Sequence, residues 1–194
     1  MKKTRVSVIL ILGCILIAGG MGLFLLSQLR VQLSVRNCQD CVTQIEELLP
    51  EKTPGFPGSV SDSAMPVLEI GGTDYIALIE VPAYGVTLPV AGRWDTGKLS
   101  HYPCRFWGSV YDNSLVVGGS DQTGQFDFCD QINPGAEITV TALNGEEFTY
   151  SVERVDRADH AEADWLMQDD YDLTLFARSA FSLEYIAVRC MLFQ

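Results

Sequence analysis

The feature that most limits how this chain can fold is a series of short apolar segments that runs from Val67 to the C-terminus. The segments recur about every 8–12 residues and are separated by Gly, Pro and Asn, a pattern typical of an all-β sandwich or barrel. The predicted strands are Tyr75–Val81, Val86–Val90, Ser114–Val117, Glu137–Ala142, Glu147–Val155, Leu173–Phe176 and Tyr185–Leu192. Between two of them, Asn144-Gly145 predicts a hairpin with a two-residue type I′ turn. The pattern therefore predicts a compact β domain over residues 67–194.

The N-terminus has a different character. Residues 1–5 are basic, and residues 6–29 contain no charged side chain. At ~1.5 Å per residue, a helix of that length crosses a hydrocarbon core of ~30 Å. The small residues Ala18-Gly19-Gly20 also allow a cleaved signal peptide, although the apolar run is long for a signal core of ~7–15 residues. We predict a cytoplasmic tail over 1–5, a transmembrane anchor over 6–29, and an extracytoplasmic C-terminal domain on a single-pass membrane protein.

The charge of the chain limits its partners. Three of the 13 basic residues lie in the first five positions, which leaves 10 against 25 acidic residues and a net charge of about −15. Such a charge disfavours nucleic acid and anionic lipid surfaces as partners.

A domain outside the cytoplasm can form disulfides, so the number of cysteines in the chain matters. Of six cysteines, Cys14 lies in the predicted anchor, and the others are Cys38, Cys41, Cys104, Cys129 and Cys190. Five is an odd number, so at least one is unpaired or pairs between chains. Cys38-x-x-Cys41 has redox-motif spacing without a surrounding βαβ pattern, which favours a small structural disulfide or two ordinary thiols on a helix. Cys190, in an apolar strand, is predicted to be a core residue.

Residues 30–66 are predicted to connect the anchor to the β domain. Within them, residues 37–49 carry apolar side chains at helical spacing, namely Val42, Ile45, Leu48 and Leu49. This juxtamembrane helix ends at Pro50 and is free to lie on the barrel or to pair with a second copy. Glu51–Pro66 is rich in Pro, Gly and Ser and is predicted to be a linker.

Four segments in sequence order resemble one known family. They are YIALIEVPAYGVTLPV (75–90), HYPCRFWGSVYDNSLVVGGSD (101–121), PGAEITV (134–140) and DLTLFARSAFSLEYIAVRC (172–190). Together they resemble the sortases, cysteine transpeptidases on the outer face of Gram-positive bacteria, of a class B-like or related clostridial type. The resemblance covers most of residues 67–194. It implies a closed β-barrel of about eight strands with short helices.

The resemblance also locates the family's catalytic positions. Ser120 stands where sortases have the catalytic histidine, Arg178 where they have the cysteine, and Glu184 where they have the arginine. A serine hydroxyl does not titrate near neutral pH, and it is equally well explained as a turn residue. A guanidinium stays protonated and cannot attack a carbonyl carbon. The sequence therefore predicts a pseudoenzyme that lacks all three catalytic groups.

Two kinds of replacement chemistry remain open near these positions. Ser179 adjoins Arg178 and has the hydroxyl of a nucleophile, but the sequence shows no base that would activate it. Arg178 could instead clamp a peptide carboxylate, with Ser179 and Trp107 as further binding residues. The remaining histidines and candidate thiols are more simply explained as surface, core or disulfide residues: His101, His160, Cys104 and Cys129.

Residues 156–172 form an acidic segment. It contains Asp156, Asp159, Glu162, Asp164, Asp169, Asp170 and Asp172. Some sortases bind calcium in the corresponding loop, but the carboxylates here lack the regular spacing of an EF-hand loop. We therefore predict a solvated loop with a one-turn helix around 161–167, and no cofactor or metal.

The resulting prediction is a membrane-anchored, extracytoplasmic sortase-like protein without catalysis. It would bind a sorting-signal peptide or a pilin, or assist an active sortase, in surface-protein or pilus anchoring. One alternative is an active transpeptidase with relocated catalytic residues that cleaves a Leu-Pro-x-Thr-Gly-like signal. Another is a decayed gene product. An enzyme forms a covalent acyl intermediate, a binding protein shows saturable affinity without turnover, and a relic does neither.

Overall fold

The computed structural model describes residues 16–22, 38–58, 64–122, 124–168, 170–179 and 182–193. The chain divides into two units, residues 1–36 and 37–194. In the first unit, residues 16–22 are helical and exposed. No helix within the described ranges is long and apolar enough to span a membrane. Most of the predicted anchor over 6–29 lies outside the described residues.

The second unit is built from strands. Within the described residues they are β1 (Thr53–Pro54), β2 (Leu68–Ile70), β3 (Thr73–Val81), β4 (Val86–Ala91), β5 (Cys104–Trp107), β6 (Leu115–Ser120), β7 (Glu137–Ala142), β8 (Glu146–Ala158), β9 (Leu173–Arg178) and β10 (Tyr185–Leu192). The described helices of this unit are α1 (38–48), α2 (Ala163–Leu166) and two short 3-10 helices, Pro82–Tyr84 and Asp127–Asp130.

Eight of the strands close into a barrel. The order is β3-β4-β5-β6-β9-β10-β8-β7, and β7 pairs with both β8 and β3. The β4/β5 and β6/β9 pairs are parallel, and the other neighbours in the barrel are antiparallel. Closure leaves no free edge among these eight strands. The prediction of an all-β closed barrel of about eight strands with short helices is confirmed.

The barrel interior follows the two-residue alternation of side chains along each strand. On β9 the inward residues are Leu173, Leu175 and Ala177, and their partners on β10 include Val188 and Cys190. All five are at most 2% exposed. Cys190 is thus a core residue, as predicted. The outward residues of the same strands remain available for a second layer or for a surface site.

Each of the seven segments predicted as strands lies largely within an observed strand. β5 was not predicted, because its four residues, Cys104–Trp107, are too few to establish a periodicity. β1 and β2 were not predicted either. β1 lies inside the predicted linker, where Thr53 and Pro54 pair in parallel with the start of β8. The compact unit begins at residue 37, whereas the predicted barrel domain begins at Val67.

The β7–β8 hairpin has a different turn from the one predicted. Gly145 has a φ of +87° and its N–H donates to the carbonyl of Ala142 at 2.9 Å, whereas Asn144 does not have a positive φ. A type I′ turn requires positive φ at both central residues. Here the Asn144 side chain instead accepts the N–H of Glu146. The predicted hairpin is confirmed, but the prediction of a type I′ turn is wrong.

Helix α1 lies on the outside of the barrel. Ile45 and Val42 are buried against Tyr75 and Leu78 of β3. The alternative that α1 lies on the barrel is therefore the one observed. Leu48, predicted to share its apolar face, is 64% exposed and does not pack there.

Candidate functional site

The three positions matched to the sortase catalytic residues lie at one end of neighbouring strands. β6 and β9 run in parallel, and their last residues, Ser120 and Arg178, are register partners. On the other side of β9, Arg178 pairs with Tyr185, the first residue of β10, and Glu184 directly precedes it. Because parallel strands end at the same edge of a sheet, residues far apart in sequence meet here.

Arg178 is exposed at this edge and is held from one side only. Its Nε donates to the carbonyl of Leu183 at 3.2 Å, and its guanidinium lies 5.9 Å from the centre of the Tyr185 ring. The described residues supply no partner for its two terminal nitrogens. A guanidinium positioned in this way can donate two parallel hydrogen bonds to an incoming carboxylate.

Ser120 organises a turn. Its Oγ accepts the N–H of Gln122 at 3.3 Å, and its carbonyl accepts the N–H of Phe126 at 2.9 Å. Its own N–H donates to the side chain of Gln125 at 3.4 Å. These bonds give the hydroxyl a structural role in the loop that follows β6.

Ser179 lies beneath the surface and is tied to a carboxylate that the sequence analysis did not single out. It is 1% exposed, and its Oγ donates to Oδ2 of Asp130 at 3.0 Å. The other oxygen of Asp130 accepts Nη1 of Arg157 at 3.0 Å. This network attaches the β9–β10 loop to the short helix after β6 and to β8. Since Asp130 is 49 residues away in sequence, no local pattern could reveal it.

The described cysteines offer no reactive thiolate at this edge. Cys38, Cys41, Cys104, Cys129 and Cys190 are all free thiols, so no disulfide forms among them. Burial raises the pKa of Cys104 and Cys190, and raises that of Cys129 well above its ordinary value. Burial also raises the pKa of Cys38 to about 12. At neutral pH these thiols stay protonated and are poor nucleophiles.

We predict a large difference in thiol reactivity within the folded protein. At about pH 8, Cys41, which is partly exposed, should react with iodoacetamide at least about tenfold faster than the buried Cys104, Cys129 or Cys190. Peptide mass spectrometry of native and urea-unfolded samples measures this difference, and all sites should react in urea. Fast native labelling of Cys129 would contradict the prediction and restore it as a candidate nucleophile.

Both histidines lie on exposed loops. His101 is next to Tyr102, with ring centres 6.2 Å apart, and His160 follows β8 in the acidic segment. These placements agree with the surface alternative for both residues.

An aromatic cluster covers the outer face of β6 and β9. Trp94 stacks on Phe176 at 5.6 Å, and Phe106 contacts both rings edge-on. The close approach of Trp94 requires Gly118, since a Cβ there would lie 2.5 Å from the indole. Trp107 does not join this cluster and is 58% exposed.

Arg189, which the sequence analysis did not include in the site, is the largest fully buried side chain among the described residues. Its Nη1 donates to the carbonyl of Leu166 at 2.9 Å and to Oγ1 of Thr174 at 3.0 Å. Its Nη2 donates to the carbonyl of Trp165, and its Nε lies 3.3 Å from Oδ2 of Asp156. The guanidinium also packs on the Trp165 ring at 5.1 Å. Arg189 thus fastens α2 to the barrel.

The predicted one-turn helix in the acidic segment is confirmed as α2. Two carboxylates of this segment bind protein groups. Asp156 pairs with Arg154 and Arg189, and Asp172 accepts the N–H of Leu192 at 2.7 Å. Among the described residues, no group of three or more His, Cys, Asp or Glu side chains is arranged to hold a metal ion.

The closed barrel, with parallel β6 and β9 ending together, is the fold of the sortases. Solved structures of sortases A, C and D are similar to this chain. A Clostridium perfringens sortase D5 transpeptidase is 22% identical over 62% of this chain and 80% of its own, with a TM-score of 0.55. Sortase A from Corynebacterium diphtheriae is 17% identical over 84% of each chain, with a TM-score of 0.55.

A third similar structure is Clostridium perfringens sortase C with the C-terminal cell wall sorting motif. It is 19% identical over 60% of this chain and 69% of its own, with a TM-score of 0.52. No family model matches the sequence, and no curated protein matches it. These comparisons show that the chain has a sortase-like fold.

Proposed function

We propose that this protein is a non-catalytic member of the sortase-fold proteins that binds a carboxylate-bearing peptide at the edge formed by Ser120 and Arg178. The observation that carries the proposal is the exposed guanidinium of Arg178, placed beside Ser120 at the shared end of β6 and β9. The position that would hold a nucleophile holds a hydrogen-bond donor for anions.

The local chemistry supports binding over catalysis. Where sortases have a histidine that acts as a general acid, this chain has Ser120, whose hydroxyl holds a turn. Where they have an arginine, it has the carboxylate of Glu184. Ser179 is buried against Asp130, and the thiols of Cys104, Cys129 and Cys190 are buried and protonated. The burial of Ser179 and of these three thiols makes them poorly placed to attack a substrate carbonyl.

A peptide of the sorting-signal type is the proposed ligand, presented by a surface protein or pilin. One structure with the same fold contains a sorting motif, and a peptide carboxylate suits the guanidinium of Arg178. An accessory role beside an active sortase is compatible with such binding. The charge-free run over 6–29 supports location at the cell membrane, with the barrel outside.

The absence of catalysis is tested by intact-mass spectrometry of the full-length protein in detergent after incubation with a library of sorting-signal peptides. We expect no covalent adduct and no cleaved peptide. The variant Ser120→His, Arg178→Cys, Glu184→Arg runs alongside, and an adduct with it would show that the edge at Ser120 and Arg178 still binds the peptide. An acyl adduct on the unmodified chain would overturn the proposal in favour of relocated catalysis.

Binding is tested by fluorescence anisotropy with a labelled peptide from the same library that ends in a free carboxylate. Arg178→Gln should weaken binding about 10- to 100-fold, because a charge-assisted pair is lost. Arg154→Gln, which removes an exposed arginine elsewhere, serves as the matched control and should bind normally. Equal binding by both variants would remove Arg178 from the site.

A further inference from the structure

A second site lies where β4 and β5 separate. The two strands are paired only at Ala91, the last residue of β4, and Cys104, the first residue of β5. The residues that follow this pair line a cleft of about 480 Å³ whose walls include Arg93, Trp94, Arg105 and Trp107, here called the tryptophan–arginine cleft. The Nε of Arg105 donates to the carbonyl of Gly92 at 3.1 Å, which holds the two walls together at the base.

The charge in this cleft differs from that of the rest of the domain. The chain beyond its first five residues carries about −15, yet two guanidiniums line one cavity. The acidic lining residue is Asp112, whose Oδ1 accepts the N–H of Ser109 at 3.1 Å and also contacts Oγ of Ser114. Arg93 is 88% exposed and is only loosely paired with Asp74, at 3.8 Å. Its charge is therefore available to a ligand.

The segment after β4, which lines the cleft, carries further hydrogen-bond donors. The backbone N–H groups of Arg93 and Trp94 have no hydrogen-bond partner within the described residues. They add to the donors of the two guanidiniums. Trp107 is 58% exposed and Trp94 is 38% exposed, so two apolar aromatic faces border the donors. Exposed tryptophan and arginine side chains are the types enriched at energetically important positions of interfaces.

We propose that the tryptophan–arginine cleft binds an extended acidic peptide segment. Glutamate or aspartate carboxylates would pair with Arg93 and Arg105, and peptide carbonyls would accept the free N–H groups of Arg93 and Trp94. The stems of the peptide side chains would pack on Trp94 and Trp107. An extended peptide supplies both carboxylates for the guanidiniums and backbone carbonyl acceptors for the N–H groups.

This site does not depend on what Arg178 binds. Trp94 connects the two regions, because it stacks on Phe176, which lies two residues before Arg178 on the same face of β9. The residues that would contact the acidic peptide nevertheless belong to the segment after β4 and to β5. Variants at Arg93 and at Arg178 therefore separate the two proposals.

The test uses the full-length protein in a neutral detergent and a fluorescein-labelled peptide of about ten residues with alternating Glu and Gly. We expect saturable anisotropy that weakens with added salt. The same peptide with Gln in place of Glu should not bind. Arg93→Gln should weaken binding about tenfold, and Trp107→Ala should weaken it as well. Arg154→Gln is the charge-matched control and should leave affinity unchanged.

Several outcomes would overturn the proposal. They are absence of saturable binding, equal binding of the Gln peptide, and equal effects of Arg93→Gln and Arg154→Gln. If Arg178→Gln weakens binding while Arg93→Gln does not, the peptide occupies the edge at Ser120 and Arg178 instead. A labelled oligogalacturonate that binds more tightly than the Glu peptide would assign the cleft to acidic saccharides. Arg93 is highly exposed, so thermal melting of its variant should match that of the native protein.

Discussion

Replacing Arg189 with alanine should lower the free energy of unfolding by about 3–5 kcal/mol. Arg189 is 0% exposed and binds the carbonyls of Trp165 and Leu166, the hydroxyl of Thr174 and the carboxylate of Asp156. Its removal leaves the carboxylate of Asp156, which is 13% exposed, without its buried partner. It also leaves several hydrogen-bond acceptors without a donor. Urea unfolding followed by circular dichroism measures the loss.

Arg154→Ala is the matched control for this prediction. Arg154 pairs with the same carboxylate of Asp156, but its side chain is 59% exposed. Exposed ion pairs contribute little to stability because solvent screens them, so this variant should unfold close to the native protein. If the two variants lost similar amounts of stability, Arg189 would not be the group that fastens α2 to the barrel.

Replacing Gly108 with alanine should lower the free energy of unfolding by roughly 3 kcal/mol or more, a loss similar to that expected for Arg189→Ala. Gly108 has a φ of +69°, and a Cβ there would lie 2.0 Å from the backbone oxygen of Ser114. A backbone atom cannot rotate away as a side chain can, so the turn between β5 and β6 must shift. Thermal unfolding of the purified variant measures the loss.

Gly85→Ala separates the effect of this clash from that of backbone conformation. Gly85 also has a positive φ, +61°, but no atom lies within 4 Å of the position of its Cβ. Only the cost of the left-handed conformation applies, about 1 kcal/mol. If Gly108→Ala lost no more stability than Gly85→Ala, the clash with Ser114 would have no energetic cost and the prediction would be wrong.

Because Gly108 borders the tryptophan–arginine cleft, the Gly108→Ala variant should also bind the acidic peptide poorly.

Local patterns were enough to predict the strands that carry the core. β3, β7 and β10 alternate apolar and polar residues or are strongly apolar, and this periodicity follows from side-chain direction within a single strand. The short helix α2 was also predictable from its own segment. β5 escaped prediction because four residues are too few to establish a periodicity. The turn type at Asn144 was predicted wrongly because Asn144 lacks the positive φ of a type I′ turn, which the dipeptide alone does not determine.

The resemblance of short motifs led to the sortase fold and singled out Ser120 and Arg178. That the two residues are partners on adjacent parallel strands depends on the crossover between β6 and β9, which no local pattern specifies. The carboxylate of Asp130 beside Ser179 depends on the same tertiary arrangement.

The sequence by itself determined the all-β class and most strand positions, and it places an arginine at position 178, at the end of β9. These are properties of single residues and of short periodic segments. Tertiary structure alone decided that Arg189 is buried beneath α2 and that Arg93, Arg105 and Trp107 line one cleft. The physical reason is that burial and convergence are set by which strands pair when the barrel closes, and that pairing joins residues far apart along the chain.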